Sequence, residues 1–431
     1  MRNDNWARRR GHWHVWAVAL GTILLWACSF DVINPGPVED HYLDDPAAHQ
    51  ALVNGMGRAF ASALNQVSYT GAAVTREVHP GGTSGNFGIT QLQQQGYLED
   101  DEVGTHWSNA QLARWVSDQG IERLKAVLSA DEFAKSKLVA QAYLWNGYSY
   151  RLLGENMCEV TIDGGPAQPT SVALDRAEAA FSQAMSVAAA AGDATIGLAA
   201  LAGRASVRLL KGDWANAVAD AGGVSSGFAY TVSYHNVGVD ELYNRIFWSS
   251  GETPFRAHTM WNTVYEDYYT ATNDPRVAWL MQNKVGDGAT VCCGQVPFWP
   301  QRKYPTAASP IRVSSGTEMR LIEAEALLVN NDWNGAMTII NAIRAAVGVA
   351  TVTPWTATNQ TEAWARLKRE RGIVLWLEGR RLADIRRWQA AGTPGALDPL
   401  EEGDPAHLMA DRDLCFPISL AEKQTNPNLG Q

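Results

Sequence analysis

The sequence predicts an all-α protein: helix pairs that form a repeat-like scaffold, interrupted by one long, loop-rich lobe. Three observations lead there. Apolar residues recur at three-, four- and seven-residue steps through most of the chain, the period of a helix face. Residues 205–217 (ASVRLLKGDWANA) and 324–336 (AEALLVNNDWNGA) each end one helix, turn through Asp-Trp and start another. Between them Val224–Thr317 shows no sustained period and is dense in tyrosine and tryptophan. A loop that long inside a compact domain is usually functional.

Composition narrows the partners. The chain has 431 residues, enough for a large core. Its net charge of −10 repels phosphate backbones, so nucleic acid is excluded as a partner. Seventeen tryptophans are a high count, and a surplus over core needs is how proteins build stacking platforms.

The N-terminus reads as a targeting segment. Arg2, Arg8, Arg9 and Arg10 precede the apolar run Val15–Ala27. That run spans roughly 20 Å as a helix, short of the ~30 Å hydrocarbon core. It ends Leu25-Trp26-Ala27-Cys28, which resembles a bacterial lipobox with residues 1–27 as signal peptide and Cys28 lipidated. Several acyl chains on one residue anchor firmly where one holds marginally. Of the other cysteines, Cys158, Cys292, Cys293 and Cys415, an exported protein pairs one or two couples, and the pairing is open. No second CxxC or histidine cluster supports zinc.

The elements follow in order. Residues 28–45 form an extended leader, broken by Pro35, Gly36 and Pro37. Asp45 as N-cap and Pro46 at the first helical position open a helix to about Leu64, with Leu52, Met56 and Phe60 on one face. Val78–Gly104 is irregular, and such loops often carry function; Asn86, Phe87 and Tyr97 are its side chains able to bond or stack. Trp107–Leu128 and Asp131–Leu153 are consecutive helices, the first with Trp107, Leu112, Trp115, Ile121, Leu124 and Leu128 as its apolar stripe. After the loop Gly154–Thr170, the alanine-rich pair Leu174–Ala191 and Ala194–Lys211 suits close helix crossings. Met319–Asn331 and Asn334–Ala346 form a further pair.

Leu367–Trp388 reads as one long helix, weakened only at Gly372 and Gly379. Leu367, Val374, Leu377, Ile385 and Trp388 form its stripe. Helix-neighbour spacing pairs Glu370 with Arg366, Glu378 with Arg381, and Asp384 with Arg380 or Arg387. Arginine suits partly buried, bidentate pairs. The tail, residues 391–431, is extended.

No GxSxG, HExxH, P-loop or helix-opening GxGxxG is present, and no cofactor or metal site is read. Glu99–Glu102 lacks EF-hand spacing for calcium. Sugar recognition asks for aromatic rings against pyranose faces and polar side chains for the hydroxyls. Trp261, Asn262, Tyr265, Tyr268 and Tyr269 supply both, joined by Asn86, Phe87, Tyr97 and Trp299. The steps from Trp261 to Tyr265 and Tyr268 also fit a core-facing helix. A glycan-degrading enzyme would need two converging carboxylates, which sequence does not place. A third reading is a repeat scaffold that binds only protein.

The Asp-Trp units resemble tetratricopeptide-type repeats. Six pieces in order resemble the SusD/RagB family of bacterial outer-membrane nutrient-binding lipoproteins: LWAC with SFDVINPGP; LAALAGRASVRLLKGDWANAVADA; DPR at 274–276 with KY at 303–304; EMRLIEAEALL with AMTIINAIRAAVG; RERGIVLWLEGRRLADIRRW; and FPISLAEKQTNPNLGQ. The resemblance implies imperfect tetratricopeptide-like pairs over about 46–223 and 318–390, with the insertion 224–317 as ligand lobe. It implies a non-catalytic protein without cofactor, lipid-anchored at the outer membrane and surface-exposed. Such proteins bind oligosaccharides, or peptides in some members, and pass them to a SusC-like TonB-dependent transporter. Glu370, Arg371, Glu378, Arg380, Asp384, Arg387 and Trp388 are then a structural signature, not ligand contacts.

Overall fold

Helix α1 runs His49–Val74, well past the predicted end at Leu64. Asn65–Val74 is buried on every side, so its amphipathic period vanishes while the helix continues. The helix starts after a 3-10 turn at Pro46–Ala48 and has no side-chain cap, not at an Asp45 cap. The computed structural model describes residues 40–82, 89–236, 243–251, 255–286, 296–402, 408–409 and 411–430. Cys28, Asn86, Phe87, Cys292 and Cys293 lie outside them. The chain divides into two compact units, Met1–Asp45 and Pro46–Gln431. The first contains a 3-10 turn at Asp40–Asp44. No described helix is long and apolar enough to cross a membrane.

The second unit is the all-α scaffold the periodicity predicts. Helix α2 is Gly104–Val127 and α3 is Lys137–Asn156. The expected single helix from Asp131 breaks at Ser136, whose side chain accepts from Val139 N. A short turn of helix, Ala130–Lys135, precedes it with its own Ser129–Glu132 capping box. In α2 the buried face is the small one: Ala110, Ala113, Ser117 and Gly120 face inward beside Trp107, Ile121 and Leu124. Leu112 and Trp115, expected in that stripe, are each 49% exposed.

Helices α4 (Ser171–Ala191), α5 (Ala194–Lys211) and α6 (Trp214–Gly222) pack in succession. Phe181 of α4 fills the crossing. A Cβ on Gly147 of α3 would sit 2.7 Å from its ring, and one on Gly203 of α5 would sit 2.5 Å away. Only glycine lets three helices close on one phenylalanine. One turn recurs. Gly192-Asp193, Gly212-Asp213 and Asn331-Asp332 each place a left-handed residue before an aspartate N-cap. The last leads from α8 (Gly316–Val329) to α9 (Trp333–Ala345), after an α7 in the lobe, Val264–Thr272.

The lobe leaves the scaffold through a two-stranded stem, β4 (Ala229–Val232) antiparallel to β6 (Ile311–Ser315), with a bulge at Tyr230/Thr231. The other strands are two-residue pairs: β1 (His79–Pro80) with β5 (His258–Thr259), and β2 (Glu159–Val160) with β3 (Gln168–Pro169).

Leu367–Trp388 is not one helix. Helix α10 ends at Val374 and α11 (Arg381–Ala390) begins after a turn, α10 itself starting at Gln360. Leu377 and Gly379 take positive φ, 59° and 71°. A Cβ on Gly379 would also press Ser68 of α1 at 2.9 Å. The turn persists because distant groups satisfy its backbone. Tyr304 Oη donates to Leu377 O at 3.0 Å, Lys303 Nζ donates to Trp376 O, and Leu377 N donates to Glu77 Oε1 at 2.8 Å. The tail is not simply extended. It holds helices Pro399–Glu402 and Leu420–Thr425 and is tied to α3 by Cys158–Cys415 and by Phe416 N donating to Asn156 O.

Candidate functional site

The β1–β5 pair brings the early loop against the lobe. Gly81 N donates to Ala257 O at 2.8 Å, extending the pairing by one residue. Just beyond β5, Thr259 Oγ1 accepts from two backbone amides, Trp261 N at 3.2 Å and Trp299 N at 2.8 Å. Met260 N donates to Trp299 O at 2.9 Å. One threonine thus fixes the backbones of two tryptophans on adjoining segments. Trp279 lies parallel to Trp299, centroids 4.9 Å apart and planes 9° apart. Tyr269 meets Trp279 edge-on at 5.7 Å, and Trp261 meets His79 edge-on at 5.2 Å.

Trp261, Tyr269 and Trp299 are each half-exposed, so this cluster presents aromatic surface. Trp279 is buried behind it, its indole N–H without a partner among the described residues. Asn262 adjoins the cluster at positive φ, its backbone N donating to Glu266 Oε2 at 2.6 Å. The arrangement is a braced aromatic platform with polar neighbours, suited to stacking on a ring that has an apolar face.

Other expected site residues are elsewhere. Tyr265 is buried against Trp376, centroids 5.3 Å apart, and burial pushes its phenol well up. Tyr268 is buried, donating to Asp274 Oδ2 at 2.8 Å and accepting from Arg344 at 3.0 Å. Both occupy the inward face of α7 with Val264 and Thr272, while Tyr269 is off that face. Tyr97 is held by the tail, its hydroxyl donating to Asp411 at 3.0 Å. Trp279, His79 and Thr259 were not singled out for the site. The tryptophan was visible in the aromatic run, but its partner stands twenty positions on, with no period to link them.

The signature residues form a buried clamp. Arg276 binds Asp274 at 2.6 Å and Glu370 at 2.5 Å, and Glu370 also takes Arg344 at 3.0 Å. Glu378 takes Lys303 at 2.7 Å and Arg312 at 2.8 Å. Arg380 binds Glu155 at 2.8 Å and Glu318 at 2.6 Å; Arg381 binds Glu401 at 2.6 Å. Burial alone would raise the Asp384 carboxyl, but Arg371 and Arg387 outweigh it and hold it at about 2. Trp388 Nε1 donates to Glu325 at 2.7 Å. Of the expected helix-neighbour pairs, Asp384–Arg387 forms; Glu370 and Glu378 are taken by residues far away in sequence. The DPR and KY motifs therefore bolt the lobe to the α10–α11 turn.

The fold and this platform define a class: a tetratricopeptide-like helix-pair scaffold with an inserted lobe that presents aromatic surface. The SusD family model matches residues 311–431. Three solved structures share the fold. A SusD superfamily protein from Parabacteroides distasonis superposes with a TM-score of 0.64 at 14% identity, covering 89% of this chain and 98% of that one. One from Bacteroides vulgatus gives 0.63 at 13%, covering 89% and 98%. A laminarin-binding SusD-like protein gives 0.63 at 16%, also covering 89% and 98%. No curated protein sequence matches the chain. The C-terminal part of the chain thus matches the SusD family model, and the fold as a whole is the one these SusD-like structures share.

Proposed function

We propose that the protein is a non-catalytic binding protein that captures an oligosaccharide on the Trp261–Trp299 platform. It hands the glycan to a SusC-like TonB-dependent outer-membrane transporter. A lipid on Cys28 holds it at the outer membrane, with the platform exposed at the cell surface. The observation that carries this reading is the stack of Trp299 on Trp279, locked beside Trp261 through Thr259. Such a face needs no adjustment to meet a pyranose ring, so little side-chain freedom is lost on binding. The family's carbohydrate-binding members, one of which binds laminarin, support glycan over peptide.

The experiment is titration calorimetry of the full chain with laminarin and with glucose hexaoses linked β-1,3, β-1,4 and α-1,4. Trp299→Ala should weaken the best ligand by tenfold or more, about 1.4 kcal/mol. Unchanged affinity would sink the platform, and release of shorter sugars would sink the non-catalytic reading. Peptide binding with no glycan binding would move the protein to the peptide-binding branch. Co-purification from detergent-extracted membranes tests the transporter: recovery without a β-barrel partner counts against it.

A further inference from the structure

A second open surface lies on the scaffold, and none of its lining residues belongs to the tryptophan cluster. Between α1 and β4 a groove of about 820 Å³ opens, lined by Trp145 of α3 and Tyr230 of β4. That volume falls within the roughly 300–1,000 Å³ of small-ligand sites. Trp145 and Tyr230 are half-exposed, ring centroids 6.0 Å apart. Both are backed by Tyr148, which stacks on Tyr230 at 6.1 Å, and Phe60 braces Trp145 at 5.9 Å. The Trp145 indole lies over α1, where a Cβ on Gly57 would meet Nε1 at 2.9 Å. That Nε1–H has no hydrogen-bond partner among the described residues.

Gly55 is a second, independent observation. It sits inside a long helix, where glycine costs about 1 kcal/mol relative to alanine. Packing does not require it: a Cβ there would meet nothing within 4 Å. Its backbone does not require it either, since its φ is not positive. What glycine does here is keep the groove floor low. Asn54, Ser62, Thr231 and Ser233 add donors and acceptors to the same wall and rim.

We propose that this groove is a second oligosaccharide site, independent of the platform. A pyranose ring would lie on the Trp145 face, with the indole N–H and the rim side chains bonding its hydroxyls. An aromatic face among hydroxyls, the Asn54 amide, Arg58 and His235 offers stacking with donors and acceptors around it, which is the chemistry of a sugar and not of a wholly apolar helix.

The test is calorimetry of the full chain with the same three glucose hexaoses. Gly55→Leu places its Cβ clear of neighbouring atoms, puts a side chain into the groove and improves helix propensity, so its Tm should not fall. Wild type should bind at least one hexaose at two sites; Gly55→Leu should bind it at one. Trp145→Leu should weaken that same site at least tenfold, about 1.4 kcal/mol. Unchanged stoichiometry and affinity in Gly55→Leu, or no hexaose bound by wild type, overturns the groove. A signal sensitive to Gly55→Leu from a casein digest, with none from any hexaose, also overturns it. Loss in Trp299→Ala alone leaves the platform standing and removes the groove; loss in Gly55→Leu alone does the reverse.

Discussion

Arg276, in the lobe, reaches Glu370, in scaffold helix α10, at 2.5 Å, and that carboxylate is wholly shielded from water. Arg344 approaches the same carboxylate from α9 at 3.0 Å. Three chain segments thus meet on one buried charge. Glu370→Ala leaves the buried Arg344 without a counter-charge and Arg276 with Asp274 alone, and breaking a buried pair in this way costs about 3–5 kcal/mol. Urea unfolding should show that loss. A cycle with Arg276→Ala should show that the two substitutions are not additive. Additive losses would mean the pair is not coupled.

Glu378 bridges Lys303 and Arg312 at the α10–α11 turn. Glu378→Ala strands both, and Lys303 also donates to Trp376 O. A loss of about 3 kcal/mol is expected. The folded fraction should keep wild-type glycan affinity. A well-folded variant that had lost binding would place the turn in the ligand site.

Burial pushes the Glu77 carboxyl up to about 7, against the lowering effect of the Leu377 N–H it accepts. The folded state therefore holds this proton more tightly than the unfolded chain, where the value is near 4.5. Its contribution to stability is full below about 4.5 and is lost as pH rises through about 7. Glu77→Gln keeps an acceptor for Leu377 and removes the charge. It should raise stability at pH 8 by about 1–3 kcal/mol and leave it nearly unchanged at pH 5. An equal effect at both pH values in thermal melts would refute the assignment.

The buried histidines act in the opposite direction. Burial holds His106 down at about 4 and His258 at about 3, so both are neutral in the folded protein. Their contribution is present above the unfolded value of 6.5 and is lost as pH falls through their folded values. Stability should pass through a maximum between these acid and alkaline losses. His106→Gln should flatten the acid limb in a series of melts from pH 4 to pH 7.

Gly203→Ala tests the helix crossing. The added methyl improves helix propensity by about 1 kcal/mol but collides with Phe181. The collision should dominate, with a net loss of about 1–3 kcal/mol in urea unfolding. Adding Phe181→Leu should recover part of it.

What the sequence revealed and what it hid divide along a physical line. Helix α5 has the limits its pattern predicts, because alanine runs and Gly-Asp turns are local signals. The break at Leu377–Gly379 showed only as a weak point at Gly379, because Lys303, Tyr304 and Glu77 impose it from other segments. Helix-neighbour pairing misassigned Glu370 and Glu378 for the same reason: buried charges take whichever partner the fold delivers. On the site, Trp261 and Trp299 were legible as aromatics in an irregular lobe. Their junction through Thr259 was not, nor was the inward turn of Tyr265 and Tyr268. A helix spacing of three or four records that residues share a face, not which way the face points.

The stem at Ala229–Val232 and Ile311–Ser315 makes the lobe an interchangeable module. The chain leaves and re-enters the scaffold on paired, neighbouring strands, so a lobe of another length can be spliced in without disturbing the helix register on either side. The clamp sets the condition for such a transplant. An incoming lobe must bring its own cations for Glu370 and Glu378, or each carboxylate is left with one partner, Arg344 for Glu370 and Arg312 for Glu378. The lobe can thus vary between the stem and the clamp while the helical chassis stays constant.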